Sequence, residues 1–239
     1  GKSGSIKIAG QDQASGLRAI GVFSILDSSE TKPKDFANRD EWINNIDKDG
    51  QTFYINAEKD IDKTKTIGII VEKLSRDSDL KRGSKAIAYE NSSSYVYSQK
   101  NRDIEVEKDK FVLSYKYKND EVDKIINSFT AKAYIQNSKI DDTWDDKLVL
   151  RGTPQHRVSD YQLKDEAYGV DLQFGKDING NKLTWGLDFS NTSNEYLQDR
   201  TTTNLTSGVV TPDNKKRVPD SETQRLGLYI QDEVTLGNI

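Results

Sequence analysis

The sequence predicts an all-β protein, an antiparallel up-and-down transmembrane β-barrel that is present in part. About nine strands, short periplasmic turns and long extracellular loops are expected. Three observations lead to this fold class. Apolar and polar residues alternate with a period of two, which only extended strands produce. Short and long connections alternate along the chain, and aromatic residues gather near both ends of the apolar stretches.

The elements follow from this alternation in chain order. The predicted strands cover residues 5–9, 16–26, 52–58, 64–75, 110–118, 128–136, a seventh strand that ends over 168–174, 183–189 and 226–230. The predicted short turns lie at residues 11–14, 60–62, 119–123 and 177–181. The predicted long loops cover residues 27–50, 76–107 and 137–159 and the polar stretch before the last strand. Outer-membrane barrels keep this parity of short periplasmic and long extracellular connections.

The aromatic residues predict which face of each strand meets lipid. Tyr117, Phe129, Phe174 and Trp185 lie near short turns, whereas Phe111, Tyr168 and Phe189 lie near long loops. Amphipathic rings favour the two membrane interfaces, so two such belts around small apolar residues indicate a membrane-facing surface. The lysines of the opposite face would line a watery lumen: Lys110, Lys116, Lys118 and Lys132.

Composition excludes several other classes. The 239 residues are 33% hydrophobic and 31% charged, and none of their apolar runs reaches the roughly 18 residues of a membrane helix. The 39 acidic and 35 basic residues are thoroughly mixed, so nucleic acid is not an expected partner. The absence of cysteine removes disulfides, thiolate metal sites and cysteine nucleophiles. The chain begins with Gly1 and shows no signal peptide, which we interpret as an internal fragment.

Residues 182–233 form the clearest pair of alternating arms. Leu183, Trp185, Leu187 and Phe189 share one face of the first arm, and Leu226, Leu228 and Ile230 share one face of the second. The runs Gly-Leu-Asp-Phe-Ser at 186–190, Asp-Arg-Thr-Thr-Thr at 199–203 and Arg-Leu-Gly-Leu-Tyr-Ile-Gln-Asp-Glu at 225–233 are distinctive. Over residues 182–237 this segment resembles the barrel of the TonB-dependent outer-membrane receptors of the haem, haemoglobin and transferrin family. Upstream, the likeness is one of strand rhythm.

That resemblance implies a function for the whole protein. Residues 1–239 would be the N-terminal part of a receptor β-barrel from a Gram-negative outer membrane, with the plug domain and the C-terminal barrel strands absent. The receptor would capture an iron carrier, haem, a haemoprotein or a siderophore, and import it with energy from the TonB complex, which binds through a missing N-terminal segment. Its partners would also include outer-membrane lipid. No covalently bound cofactor is expected, and residues 76–107 and 137–159 are the candidates for ligand contact.

The single histidine, His156, is the candidate for contact with haem, and we expect it in a loop. The Phe-Arg-Ala-Pro and Asn-Pro-Asn-Leu motifs of haem receptors are absent, so the resemblance assigns no ligand role to it. Asp141, Asp142, Asp145 and Asp146 form an acidic loop cluster that we expect to be solvated. The acidic stretches at 47–50 and 177–181 lack the glutamate of a calcium loop and are predicted turns. We find no enzyme signature and no metal site.

Two other classes stay open. A complete small outer-membrane barrel, a pore or a surface protease, would need a tenth strand near residues 86–97 and paired end strands. A soluble β-sandwich could bind carbohydrate through Trp144 and loop tyrosines, and its apolar faces would have to point toward one another.

Overall fold

The chain folds as a single antiparallel sheet. A computed structural model describes residues 1–28, 45–82, 95–119, 125–178, 181–214 and 218–234. In chain order the strands are β1 (Lys2–Asp12), β2 (Leu17–Ser28), β3 (Asn45–Asp60), β4 (Lys65–Lys81), β5 (Tyr95–Lys118), β6 (Ser128–Leu150), β7 (Thr153–Ile178), β8 (Asn181–Asn204), β9 (Val210–Pro212) and β10 (Ser221–Glu233). The all-β, up-and-down prediction is therefore confirmed. Over the same ranges no helix is long and apolar enough to cross a membrane.

Each long strand pairs with its neighbours in sequence. The order is β1-β2-β3-β4-β5-β6-β7-β8-β10, and the short β9 pairs with β8 beside this path. Within the described ranges β1 and β10 form the two edges of the sheet and do not pair with each other. The described strands thus form an open barrel wall and not the closed small barrel of the first alternative.

The strands are much longer than predicted on the side of the long connections. β5 to β8 contain 24, 23, 26 and 24 residues, whereas about 9–11 tilted residues cross a bilayer. The predicted loop at 137–159 is wrong, because those residues complete β6 and β7 around a tight turn. Arg151 and Gly152 hold that turn with φ of 49° and 81°, as a two-residue hairpin turn requires.

Two further loop predictions are corrected in the same way. Of the predicted loop at 76–107, β4 continues to Lys81 and β5 begins at Tyr95, while residues 83–94 lie outside the described ranges. The predicted turn at 47–50 is part of β3, where Asp49 pairs with Asp27 and Asp77. Both faces of these extensions carry mostly polar side chains, so the extensions lack the apolar alternation that marks a strand in sequence.

The predicted short turns agree with the structure where it describes them. Residues 13–16 join β1 to β2, and residues 61–64 join β3 to β4. In the second turn Asp62 Oδ1 accepts hydrogen bonds from Thr64 Oγ1 at 2.7 Å and from Thr64 N at 2.8 Å. These bonds, with Lys65, lower the pKa of Asp62 to about 2. Residues 120–124 and 179–180 of the other two turns lie outside the described ranges.

One face of the sheet carries a continuous apolar band, which we define by its members. They are Ile6, Ile8, Leu17, Ala19, Phe23, Ile25, Phe53, Ile55, Ala57, Ile67, Ile69, Val71, Phe111, Leu113, Tyr115, Tyr117, Phe129, Ala131, Ala133, Ile135, Tyr168, Val170, Leu172, Phe174, Trp185, Leu187, Phe189, Leu226, Leu228 and Ile230. Cross-strand register joins them into rows. One row runs Ala19, Ala57, Ile69, Leu113, Ala133, Val170, Phe189 and Leu226.

The apolar band is exposed rather than packed against another layer. Ile8 is 71% exposed, Leu113 51% and Leu228 77%, and Leu148 is the only apolar side chain of the described residues that forms a buried core position. Strands make their substantial contacts with sheet neighbours. The inward-facing apolar surfaces that a β-sandwich needs are therefore not present in the described strands.

The aromatic residues line the two borders of the band as predicted. Tyr117, Phe129, Phe174 and Trp185 form one register row at the short-turn border. The Phe129 and Phe174 rings lie 4.9 Å apart, and those of Phe174 and Trp185 stack at 5.8 Å. At the other border Phe111 and Tyr168 share a row, and Phe189 lies one row further in, 6.4 Å from the Tyr168 ring.

The opposite face, the polar face, is the more shielded of the two. Along β5 the band positions are mostly exposed and the polar-face positions mostly half-buried, as expected when a sheet curls toward its polar side. Lys116 pairs with Glu58 at 2.5 Å, and Lys110 lies 6.0 Å from the Tyr134 ring. The predicted lysines therefore lie on this face among acidic and aromatic neighbours.

Gly169 gives the Tyr134 ring its place on the polar face. A Cβ at Gly169 would lie 2.6 Å from Tyr134 Cε1 and 2.7 Å from the Phe189 carbonyl oxygen. The glycine therefore lets a tyrosine of the neighbouring strand lie flat across the sheet. Close packing of this kind does not tolerate an added methyl group without a shift of ring and backbone.

We predict that Gly169→Ala lowers the free energy of unfolding by about 1–3 kcal/mol, because Tyr134 and the β8 backbone must both move. Thermal unfolding in detergent micelles measures the change. Gly10→Ala is the matched control, since nothing lies within 4 Å of a Cβ at that position. Equal effects of the two substitutions would contradict the packing argument.

Candidate ligand-contact site

The strand extensions beyond the apolar band form a second region, which we call the distal ribbon. It comprises residues 95–109 of β5, 137–150 of β6, 153–167 of β7 and 192–204 of β8. On β6, Trp144 is nine residues beyond Ile135, the last band residue, or about 30 Å along the strand. The distal ribbon therefore lies outside any layer that the apolar band could span.

An open cavity of about 340 Å³ lies on the polar face of the distal ribbon, and we call it the aromatic cavity. Its lining residues are Ile140, Asp142, Trp144, Tyr161, Leu163 and Tyr196. Strand periodicity brings them together, because even positions of β6 and β8 and odd positions of β7 share this face. The sequence predicts Ile140, Asp142 and Trp144 in the loop at 137–159 and Tyr196 in the polar stretch before the last strand, whereas the structure places all of them on paired strands.

Trp144 is clamped by a pair of charges from β5 and β6. Arg102 donates through Nε to Asp142 Oδ1 and through Nη2 to Asp142 Oδ2, both at 2.8 Å. The same guanidinium lies 4.9 Å from the Trp144 ring centroid, and Lys100 lies 5.8 Å from it. A two-pronged ion pair that also stacks on an aromatic ring fixes both side chains in one orientation. The Asp142 side chain is only 16% exposed.

Tyr161 and Tyr196 form the other wall of the aromatic cavity. Their ring centroids are 6.3 Å apart, with an angle of 38° between the ring planes. Arg200 donates to Tyr161 Oη at 3.3 Å and to Ser159 Oγ at 3.1 Å. Ser159 is almost fully buried, so one hydrogen bond of Arg200 is made to a buried hydroxyl group. The second hydrogen bond of Arg200 then positions the Tyr161 ring.

Asp146 lies deeper on the same face, toward the β6–β7 turn. It is 7% exposed, and its Oδ1 is buried without a hydrogen-bond partner in the described part of the chain. Burial raises the pKa of Asp146 above its ordinary value, although Lys100 and Arg157 act in the opposite direction. The expectation that the acidic cluster is solvated is therefore wrong for Asp142 and Asp146.

The other predicted site residues lie on the opposite face. His156 is on β7 and not in a loop, and its Nε2 is 2.6 Å from Asp145 Oδ1, with donor and acceptor set by the tautomer. Asp141 accepts from Gln162 at 2.7 Å and pairs with Lys139 at 2.6 Å. The strand alternation thus separates His156 from Trp144. A role for His156 as a haem ligand stays a prediction.

A second polar cluster lies at the short-turn end of the polar face. Arg18 donates to Asp60 Oδ2 at 2.9 Å and to Asp60 Oδ1 at 2.8 Å. Thr66 Oγ1 donates to Asp60 Oδ1 at 2.7 Å, and Arg18 also lies 3.6 Å from Glu58. These contacts tie β2, β3 and β4 together, and Arg18 and Glu58 also line an open cavity of about 460 Å³ beside β1.

Sequence reasoning missed the contributions of β5 and β8 to the site. Arg102 falls within a predicted loop, and Tyr196 and Arg200 fall within the polar excursion after residue 189. Arg102 pairs with Trp144 because the apolar band fixes the register of the β5–β6 hairpin. No local sequence motif therefore predicts this pair.

The fold and site together define a curved single-layer sheet with one apolar face, one polar face and a distal aromatic cavity. No protein-family model matches the chain, and no curated protein does. Among solved structures it is similar to the ferric yersiniabactin uptake receptor from Yersinia pestis, at 10% sequence identity and a TM-score of 0.37. The match covers 96% of this chain and 41% of that receptor.

We predict that Asp146→Asn stabilises the protein increasingly as the pH rises from about 3 to neutral. Because the folded state raises this pKa, the carboxyl group stabilises folding only while protonated, and that contribution is lost as the pH rises through the folded pKa. The measurement is thermal unfolding of both variants across this pH range. Asp199→Asn, an exposed carboxylate on β8, controls for the lost charge. A difference that does not change with pH would contradict the prediction.

Proposed function

We propose that the chain forms part of the wall of an outer-membrane receptor and transporter. The observation that carries the proposal is the apolar band, which is continuous across the long strands and exposed to the surroundings. A soluble protein would cover such a surface, because each large apolar side chain gains about 1.5–3 kcal/mol on leaving water. Lipid against the apolar face and water against the polar face would place the side chains of each face in a favourable medium.

The distal ribbon supports a receptor role. Extracellular connections of outer-membrane barrels are the long ones, and here the long connections are built as paired strands with a shaped cavity. Aromatic walls with few, precisely held polar groups are typical of small-ligand sites. We therefore place ligand capture on the polar face of the distal ribbon rather than on irregular loops.

The cargo that we propose is an iron carrier: haem, a haemoprotein or a ferric siderophore. Support comes from the sequence resemblance over residues 182–237, and import would depend on the TonB complex for the same reason. In this proposal the protein is not an enzyme and holds no covalently bound cofactor. His156 stays a candidate contact for haem from the outer side of the distal ribbon, where Asp145 would orient its ring.

We predict that Val170→Lys strongly reduces insertion into lipid, whereas Gln173→Lys does not. Val170 is a middle-row band residue, and a lysine near the bilayer midplane costs about 2–4 kcal/mol. Gln173, on the same strand, faces the polar side and is exposed. Flotation of the protein with phospholipid vesicles measures insertion. A chain that stays monodisperse in detergent-free buffer would contradict the membrane proposal.

The receptor role is tested by shortening one hairpin. We predict that replacing residues 142–161 by a two-residue turn, which joins the paired Asp141 and Gln162, in the receptor that contains this chain abolishes growth on its iron carrier under iron limitation. Haem, haemoglobin and ferric siderophores are offered in turn as sole iron source, and surface labelling checks that the variant reaches the outer membrane. Undiminished growth on every carrier that supports the parent would exclude the β6–β7 hairpin from ligand capture. Loss of uptake on deletion of TonB tests energy coupling separately.

A further inference from the structure

The aromatic cavity has three properties that together restrict its ligand. Its walls are flat rings, those of Trp144, Tyr161 and Tyr196, with Ile140 and Leu163 between them. Its single charged lining residue is Asp142, and Arg102 neutralises that carboxylate through two hydrogen bonds of 2.8 Å. The cavity volume of about 340 Å³ lies at the small end of the range for ligand pockets.

These properties favour a neutral ring with apolar faces and a polar rim. An anionic ligand would gain little binding energy in this cavity, because the nearest guanidinium, that of Arg102, is already paired with Asp142 and stacked on Trp144. A metal-bearing macrocycle finds no imidazole in this cavity, since the only histidine of the sequence lies on the other face of β7. A sugar ring has the required form: its C–H faces stack on aromatic rings, and its hydroxyl groups bond to side chains at the edge.

We propose that the aromatic cavity binds a neutral hexose segment of an oligosaccharide. A sugar ring would stack between Trp144 and the Tyr161–Tyr196 wall, with hydroxyl groups bonded by the Asp142 carboxylate and the Arg102 guanidinium. Arg102 and Arg200 act as positioning residues, because they hold the Trp144 and Tyr161 rings in place. The inference rests on the proposed function only in that the distal ribbon must face the medium outside the membrane. It assigns the aromatic cavity itself to a sugar, so the iron carrier of the proposed function would bind elsewhere on the distal ribbon.

The three rings of the aromatic cavity lie on paired strands. The cavity draws on β6, β7 and β8 at matched register, so the three rings are held by backbone pairing rather than by a mobile loop. Rings held in advance lose little freedom on binding, and this favours weakly interacting ligands such as sugars.

Calorimetric titration of the full chain in detergent micelles tests the proposal, with maltohexaose, cellohexaose, chitohexaose and mannohexaose as probes. At least one of the four binds, and Trp144→Ala and Tyr196→Ala each weaken that binding by about tenfold or more, because a stacked ring is lost. Trp144→Phe and Tyr196→Phe keep a ring and retain most of the affinity. Leu197→Ala, at an exposed position on the opposite face of β8, leaves it unchanged.

Three outcomes would overturn the proposal. The first is that none of the four sugars binds at millimolar concentration. The second is binding that the ring-removing variants do not alter, with circular dichroism showing that they are folded. The third is preferential binding of 2,3-dihydroxybenzoate, which would assign the cavity to aromatic ligands. Vesicle flotation of the same preparation reports on the membrane proposal independently, so the two failures are distinguishable.

Discussion

The structure depends on one interaction above all, the backbone hydrogen-bond ladder between neighbouring strands. A globular domain is stabilised by a packed core as well as by its backbone hydrogen bonds. Here Leu148 is the only buried apolar core residue among those described. Strands β2 to β8 each pair along both sides, which satisfies their backbone groups without help from a second layer. The side chains of the two faces are then free to meet different media. In the proposed membrane setting, an apolar medium on one side would supply the burial that a core otherwise gives.

The same hydrogen-bond ladder continues through the apolar band and the distal ribbon, but the side chains of these two regions differ in character. In the apolar band, rows of rings and small residues present a smooth apolar surface, and Gly169 opens the polar face to the Tyr134 ring. In the distal ribbon both faces carry polar and charged side chains. Isolated exposed ion pairs there contribute little to the free energy of unfolding. Order instead comes from half-buried combinations, such as Arg102 bonded twice to Asp142 while stacked on Trp144. The distal ribbon is therefore built of paired strands rather than of loops.

The parts that the sequence predicts are those where one face is apolar. Residues 110–118 and 128–136 alternate clearly, so strand positions, partners and facing direction all follow from a period of two. Residues 137–159 carry polar side chains on both faces of the strands, and an Asp-rich stretch of this kind is typical of a loop. The Asp-Gly at 49–50 has strong turn propensity, yet pairing with β2 and β4 overrides it. The partner of Trp144 lies 42 positions earlier in sequence, at Arg102, and only the three-dimensional register reveals it.

Register also links the membrane surface to the candidate site. Val170 and Tyr161 lie on one strand nine positions apart, so they necessarily point to opposite faces. A slip of one residue that inverts β7 against β6 would turn Val170 and Leu172 toward the polar side and Tyr161 out of the cavity. In the proposed membrane setting the apolar band would resist such a slip, because its exposed rows must stay together to meet lipid. The burial that places the sheet in a membrane would thereby also fix the rings of the aromatic cavity, although no side chain belongs to both surfaces.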